Sequence, residues 1–460
     1  MPRDDIPPPE APPQLMELIR VFGQIGFISF GGPAGQIALM HRMLVDERRW
    51  IGEQRFLSAL NFCMLLPGPE AMQLATYVGW TQRGVVGGLI AGLLFVLPGA
   101  ALMLALSLGY ALYGSVPVVT AVFLGIKAAV VAIVIEALLK VARRALKGTA
   151  DWIVAAAAFI AIYAFNVPFP LIVLAAAMFG FIRASGIPSE PVALKDNGRA
   201  QTASAPGMPG STLGGKSGGS LSSTATTVVV WLAIWIAPLA AVVAVFGPDH
   251  VLSQMAWLFS KLAVVTFGGA YAVLAYMAQA VVDDYRWLKP GEMMDGLGLA
   301  ETTPGPLILV LQFVGTIAAF REGGGSPILM GVLGAFVTLW ATFAPCFLWV
   351  FAGAPYVERL TRMPKLSSAL KSVTAAVVGV ILNLTVWFAL HVLFRTVGTY
   401  TAGPVSITLP DVTSADPLAF SLAAVAAVML FAWHRGIMVT LAVCAALALL
   451  AAQIAKQTAG

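Results

Sequence analysis

Few side chains in this sequence can do chemistry, and those few gather around short glycine and proline interruptions. Only 11% of the 460 residues are charged, so an ionisable group inside an apolar run stands out. Lys127 sits in "VFLGIKAAVVAIV" with no charge beside it, and Glu136 follows nine residues later. Glu70 follows a "PGP" at 67–69, and Glu301 precedes a second "PGP" at 304–306. Ser29, Gln36, Asn61, Gln73, Thr76, Thr266, Thr302, Thr303 and Gln312 lie close to the interruptions. Their hydroxyls and amides can donate hydrogen bonds to the oxygens of an oxyanion or bond neighbouring helices. Lys127 can attract an anion, snorkel, or form half of a structural ion pair with Glu136 or Glu70, because a lone charge in a bilayer is costly. Glu70 and Glu301 can carry a proton or cap free backbone N–H groups.

The interruptions are Gly31-Gly32-Pro33, Pro67-Gly68-Pro69, Gly268-Gly269 and Pro304-Gly305-Pro306. Proline lacks an amide donor and suits the first turn of a helix, so Pro33 and Pro69 can each start a fresh half-helix. Such a start presents free N–H groups and the positive end of the helix dipole. At membrane depth irregular backbone is tolerated only where it lines a cavity or is buried in protein. Free amides there suit a bound anion. The substrate-binding set is therefore Ser29, Gly31, Gly32, Gln36, Gly68, Gln73, Lys127, Thr266, Gly268, Gly269, Thr303 and Gly305. Glu70, Glu136 and Glu301 are the proton-coupling or capping candidates. Three cysteines and four histidines are scattered without metal-ligand spacing, so no catalytic residue, metal or cofactor is expected and the chain does not read as an enzyme.

These residues need a membrane scaffold. The chain is 59% hydrophobic, its mean hydropathy is +0.87, and apolar stretches recur along almost its whole length. About thirteen apolar segments are expected, near 15–45, 56–81, 84–113, 117–142, 151–167, 168–183, 227–247, 251–282, 293–320, 327–353, 366–394, 416–433 and 437–455. The proline-rich tail 1–14 has no apolar run and is not a signal peptide. A Gly/Ser/Thr-rich stretch within 184–226 reads as a flexible linker.

The two sides of that linker are copies. "SFGG" at 29–32 matches "TFGG" at 266–269, and the same offset of 237 aligns Trp50 with Trp287 and the two "PGP" motifs. Further on, "IKAAVVAIV" at 126–134 falls on "VTAAVVGVI" at 373–381. With repeat one at 15–183 and repeat two at 248–460, the helix at 227–247 carries the chain across once, so the repeats are inverted. The fold expected is an all-α polytopic membrane protein whose helices break at Gly/Pro motifs. Lys140, Arg143, Arg144 and Lys147 place their loop, the linker and the N-terminus in the cytoplasm and the C-terminus outside. The basic loop 41–50 conflicts with a first segment that crosses once. The conflict vanishes if the broken segments are re-entrant hairpins; kinked spanning helices are the rival.

"FISFGGPAGQIALM", "LNFCMLLPGPEAMQLATYVGW", "TFGGAYAVLAYM" and "LAETTPGPLILVLQFVG" resemble the chromate ion transporter family over nearly the whole chain. The resemblance implies a secondary transporter of the bacterial inner membrane that exports chromate using the proton-motive force and gives chromate resistance. Sulfate or another anion, taken up or exchanged, is the competing substrate. The lipid bilayer is the expected surrounding, no nucleic acid is expected as partner, and a homodimer is one assembly open to the chain.

Overall fold

The computed structural model describes residues 13–30, 32–185, 221–267, 270–357 and 363–458. Gly31, Gly268, Gly269 and most of the expected linker lie outside the described residues. The first repeat comprises α1 (Leu15–Ile28), α2 (Gly32–His41), α3 (Glu53–Cys63), α4 (Glu70–Tyr113), α5 (Pro117–Ala145), α6 (Thr149–Phe165) and α7 (Phe169–Ser185). Helix α8 (Leu221–Phe246) starts before residue 227, where the apolar run begins, because the six residues 221–226, four of them Ser or Thr, extend it. Then follow α9 (Val251–Val265), α10 (Ala270–Gln279), α11 (Pro290–Thr302), α12 (Val310–Glu322), α13 (Pro327–Gly353), α14 (Pro364–Leu393), α15 (Pro417–Ala427) and α16 (Ile437–Thr458). Prolines open α5, α11, α13, α14 and α15, where the missing amide costs nothing.

The all-α architecture carries one addition. Strands β1 (Val397–Ala402) and β2 (Val405–Pro410) pair antiparallel between α14 and α15, where the sequence has no apolar run. Among the described residues six helices are long and apolar enough to cross a membrane: Glu70–Tyr113, Pro117–Ala145, Ser222–Phe246, Pro327–Tyr356, Pro364–Leu393 and Ile437–Thr458. The helices of the four broken segments are shorter. Those of 10 to 15 residues reach about 15 to 22 Å, roughly half to three-quarters of a ~30 Å hydrocarbon core.

The broken segments turn back on themselves. Arg83, at the end of the first part of α4, donates from Nε to the Pro13 carbonyl before α1 at 2.8 Å. Gln82 donates to the Trp50 carbonyl ahead of α3 at 2.8 Å, and Arg48 pairs with Glu17 in the first turn of α1 at 2.9 Å. Thus α1–α2 and α3–α4 both start and finish at one end of the molecule. At Arg83 and Gly84 the backbone leaves helical geometry (Gly84 φ +60°), and α4 continues as a long helix running the other way. The second repeat closes equivalently: His250 before α9 meets the Gly323 carbonyl after α12 at 3.1 Å, and Arg321 of α12 grips Glu292 of α11 at 2.7 and 3.0 Å. Hairpins, not kinked spanning helices, fit these contacts, and they account for the basic loop at 41–50.

Pseudo-symmetry reaches the backbone. After α2 and α10 the helix widens over Arg42–Glu47 and Ala280–Asp284. Each ends on a positive-φ arginine, Arg49 (φ +53°) and Arg286 (φ +57°), 237 residues apart. Trp50 N–H then donates to Leu44 O at 2.9 Å, and Trp287 N–H to Val281 O at 2.8 Å. The half-helices pack on the long helices through paired glycines, Gly79 against Gly87 and Gly315 against Gly334, where a methyl group on either partner would strike backbone.

Connectivity assigns two faces. The basic face carries the start of α1, the α5–α6 turn, the end of α7 and the starts of α8 and α14. Ser368 of α14 donates to Gly180 O of α7 at 2.8 Å, and Thr224 of α8 meets Tyr356 at 2.9 Å, which ties these ends together. The β-hairpin lies on the opposite face, where Tyr163 at the end of α6 donates to Thr408 O at 2.8 Å. The second-repeat hairpins follow α8 and so enter from that opposite face.

Candidate anion-binding cavity

The breaks meet across the repeats. Gly305 N–H donates to Ser29 O at 2.9 Å, and Gly68 N–H donates to Thr266 O at 3.0 Å. Both pairs are related by the same offset of 237, so they are one contact made twice by an approximate two-fold. The first break of one copy holds the second break of the other. Gly68 (φ +111°) and Gly305 (φ +89°) adopt a backbone that side chains disfavour, which explains glycine between the two prolines.

Most of the expected polar donors bond backbone carbonyls, two of them at the breaks. Gln36 Nε2 donates to Gly305 O at 2.6 Å, Gln73 Nε2 to Pro67 O at 2.7 Å and Gln312 Nε2 to Ala100 O at 2.9 Å. Thr266, Thr303, Thr302 and Thr76 return their hydroxyls to carbonyls of their own helices. Asn61 faces outward. Ser29 differs: it is fully buried and its Oγ has no hydrogen-bond partner among the described residues.

A cavity of about 570 Å³ lies beside the breaks on the basic-face side. Three half-helix starts form its floor: Gly32, Pro33 and Ala34 of α2, Glu70 of α4, and Ala270 and Tyr271 of α10. Its wall comes from the helices that share the "AAVV" motif, α5 and α14, with Ile133, Glu136, Lys140 and Arg144 on one side and Lys371, Thr374 and Ile381 on the other. Positive helix ends below and basic side chains above make a space suited to an anion. Of the sequence-derived site residues, Gly32, Glu70 and Glu136 line it. Glu136 pairs with Lys140 one turn on at 2.6 Å. Glu301 lies behind Tyr271, whose hydroxyl donates to Glu301 Oε1 at 2.8 Å.

Lys127 is placed otherwise than expected. Its partner is neither Glu136 nor Glu70 but Asp295 of α11, at 3.2 Å, and it is not among the cavity-lining residues. Tyr110 OH donates to the same Asp295 oxygen at 2.7 Å. The pair lies toward the opposite face. Asp295 was legible as a lone carboxylate in the apolar run "MMDGLGLA". Arg144 was legible only as a topology signal, and Lys371 was not singled out at all. Among the described residues no group of three or more His, Cys, Asp or Glu could hold a metal ion.

A family model described as chromate transporter matches residues 16–181 and 253–450, omitting the central stretch between the repeats. A probable chromate transport protein of Synechococcus elongatus is 29% identical over 377 residues, covering 81% of this chain and 84% of the relative. Chromate transport proteins of Cupriavidus metallidurans and Pseudomonas aeruginosa are 28% and 31% identical, covering 82% of this chain in each case and 82% and 80% of the relatives. No solved structure matches the chain.

Proposed function

Because the chain belongs to the chromate transporter family, we propose that it is a secondary transporter that exports chromate across the bacterial inner membrane, driven by the proton-motive force, and so confers chromate resistance. The observation that carries this reading is the cavity whose floor is three half-helix N-termini and whose wall bears Lys140, Arg144 and Lys371. A tetrahedral dianion fits that chemistry. The basic face is the cytoplasmic one by the positive-inside rule, with the N-terminus on that side and the C-terminus in the periplasm. In this arrangement the cavity is open to the side from which an exported substrate is loaded. A dianion leaving a negative interior gains about 4.6 kcal/mol per 100 mV, twice the ~2.3 kcal/mol of a single charge, so the membrane potential favours exit.

The site residues fall into two roles. Gly32 with the amides of the α2 and α10 starts meets the substrate. Ser29, Gln36, Gly68, Gln73, Thr266, Thr303 and Gly305 hold the breaks that present those amides. Glu301 is the proton carrier and Glu70 offsets the α4 dipole. The test is transport by purified protein in vesicles, with voltage and pH gradient imposed separately and labelled chromate and sulfate in competition. Uptake into inside-out vesicles that requires an imposed gradient and prefers chromate is the expected result. Preference for sulfate at equal concentration turns the assignment to a sulfate transporter.

A further inference from the structure

The basic residues of the cavity wall have no lysine or arginine at the positions that the repeat relates to them. Lys140, Arg144 and Lys147 follow one another at four and three residues on α5 and the turn after it, so they lie along one face of the helix, and all three line the cavity. Lys371 opposes them from α14. Lys140 is answered by Glu136, and Lys371 stands 3.8 Å from Asp151. Arg144 has no carboxylate within ion-pair reach among the described residues; its Nη2 rests on Met64 Sδ at 3.1 Å. Arg143 belongs to the same helix end but does not line the cavity.

An inverted-repeat transporter reaches its other state when the two repeats exchange conformations, so the opposite cavity is lined by the repeat counterparts of the present lining. The offset of 247 between α5 and α14 names them. Lys140, Arg144 and Lys147 become Trp387, His391 and Phe394, and Lys371 becomes Leu124. Thr374 becomes Lys127, but that ammonium is already matched by Asp295. One side therefore presents Arg144 and Lys147, which have no ion-pair partner among the described residues, to an entering anion, and the repeat-related positions present aromatic rings and a neutralised pair.

We infer that Arg144 and Lys147, supported by Lys140 and Lys371, form a one-sided capture vestibule for the oxyanion, which makes the apparent affinity much higher on the basic face than on the opposite face. This rests on the transporter reading and adds that its two openings are electrostatically unequal. A charged cleft raises the local concentration and association rate of its counter-ion, by about ten-fold to a thousand-fold. The absence of lysine and arginine at the repeat-related positions lets the ion leave.

The experiment is initial-rate chromate transport in inside-out and right-side-out vesicles containing the full chain. The wild-type protein should show a KM about ten-fold lower at the basic face, and the difference should shrink in about 1 M salt, where the Debye length is ~3 Å. Replacing Arg144→Gln with Lys147→Gln should raise the basic-face KM toward the opposite-face value and leave the latter unchanged. Arg143→Gln removes a charge of the same topological weight and should leave both KM values as they were. Equal KM on the two faces of the wild type, or a rise on both faces in the double variant, overturns the vestibule while the transport reading stands. Absence of chromate or sulfate flux from either face overturns both.

Discussion

Lys127 of the first repeat and Asp295 of the second form an ion pair, Nζ to Oδ2 at 3.2 Å, with Tyr110 donating to the same oxygen. Asp295 is only 3% exposed, and its other oxygen, Oδ1, has no hydrogen-bond partner among the described residues. The repeat counterparts of the pair are Thr374 and Ser58, so no matching bridge exists on the cavity side. Removing one partner leaves a buried charge uncompensated, at a cost on the order of 3 kcal/mol. Lys127→Gln or Asp295→Asn alone should lower the thermal unfolding midpoint of the detergent-purified protein. The double variant should recover most of it, because neither charge then remains alone. A Lys127→Gln protein of normal stability that no longer transports would instead place Lys127 on the substrate.

Gly68 and Gly305 occupy the same place in the two copies, but their surroundings differ. A methyl group at Gly68 would meet Cys346 Sγ at 3.0 Å and Gln73 Nε2 at 3.1 Å, whereas at Gly305 the nearest atom is 3.3 Å away. Positive φ alone costs a non-glycine residue about 1–3 kcal/mol. Both alanine variants should therefore be destabilised and slow in transport, Gly68→Ala more than Gly305→Ala. Adding Cys346→Ala should relieve part of the Gly68→Ala defect and none of the Gly305→Ala defect, as read from unfolding midpoints. Equal effects without rescue would show that the thiol does not set the difference.

The duplication, the breaks and the basic loops were legible because each leaves a local mark: Gly and Pro at fixed offsets, and charge in otherwise apolar sequence. Hairpin against kinked helix was not legible, since 15–45 has the same composition either way. The choice depends on Arg48 reaching Glu17 and Arg83 reaching Pro13 O, contacts that close only in three dimensions. The cross-repeat pairing of Ser29 with Gly305 was hidden for the same reason. The polar residues were found by type but their direction was not: Gln36 and Gln73 have the chemistry to meet an oxyanion, and here their amides hold backbone carbonyls. Lys127 was noticed, and its partner was missed, because the pair spans the two repeats.

The hairpins also fix which loops share a face. Cysteine introduced at Val45 or Lys147 should react with an impermeant thiol reagent from the same side, although one position follows the first hairpin and the other a long helix. Cysteine at Glu322 should react only from the other side. A first segment that crossed the membrane once would put Val45 and Lys147 on opposite sides. The native cysteines, Cys63, Cys346 and Cys444, are buried and contribute little background.

Glu301 is 4% exposed and receives the Tyr271 hydroxyl at 2.8 Å, while Tyr271 itself lines the cavity. Its repeat counterpart is Met64 and that of Tyr271 is Ala34, so this carboxylate, like the Lys127 pair, belongs to one copy only. No cation stands within ion-pair distance of Glu301 among the described residues, and its one side-chain partner there is the Tyr271 hydroxyl. Among the described residues, Tyr271 links Glu301 to the cavity. If Glu301 couples proton entry to chromate exit, Glu301→Gln should retain chromate counterflow, which needs no net proton movement, and lose the part of export driven by an imposed pH gradient. Export driven by voltage alone should survive. Tyr271→Phe should keep the coupling and slow it. The measurement is proton uptake, followed with a pH-sensitive dye trapped in vesicles, alongside labelled chromate flux. Should Glu301→Gln keep full proton uptake and instead lower the unfolding midpoint, the carboxylate braces the break after α11 and the proton travels elsewhere.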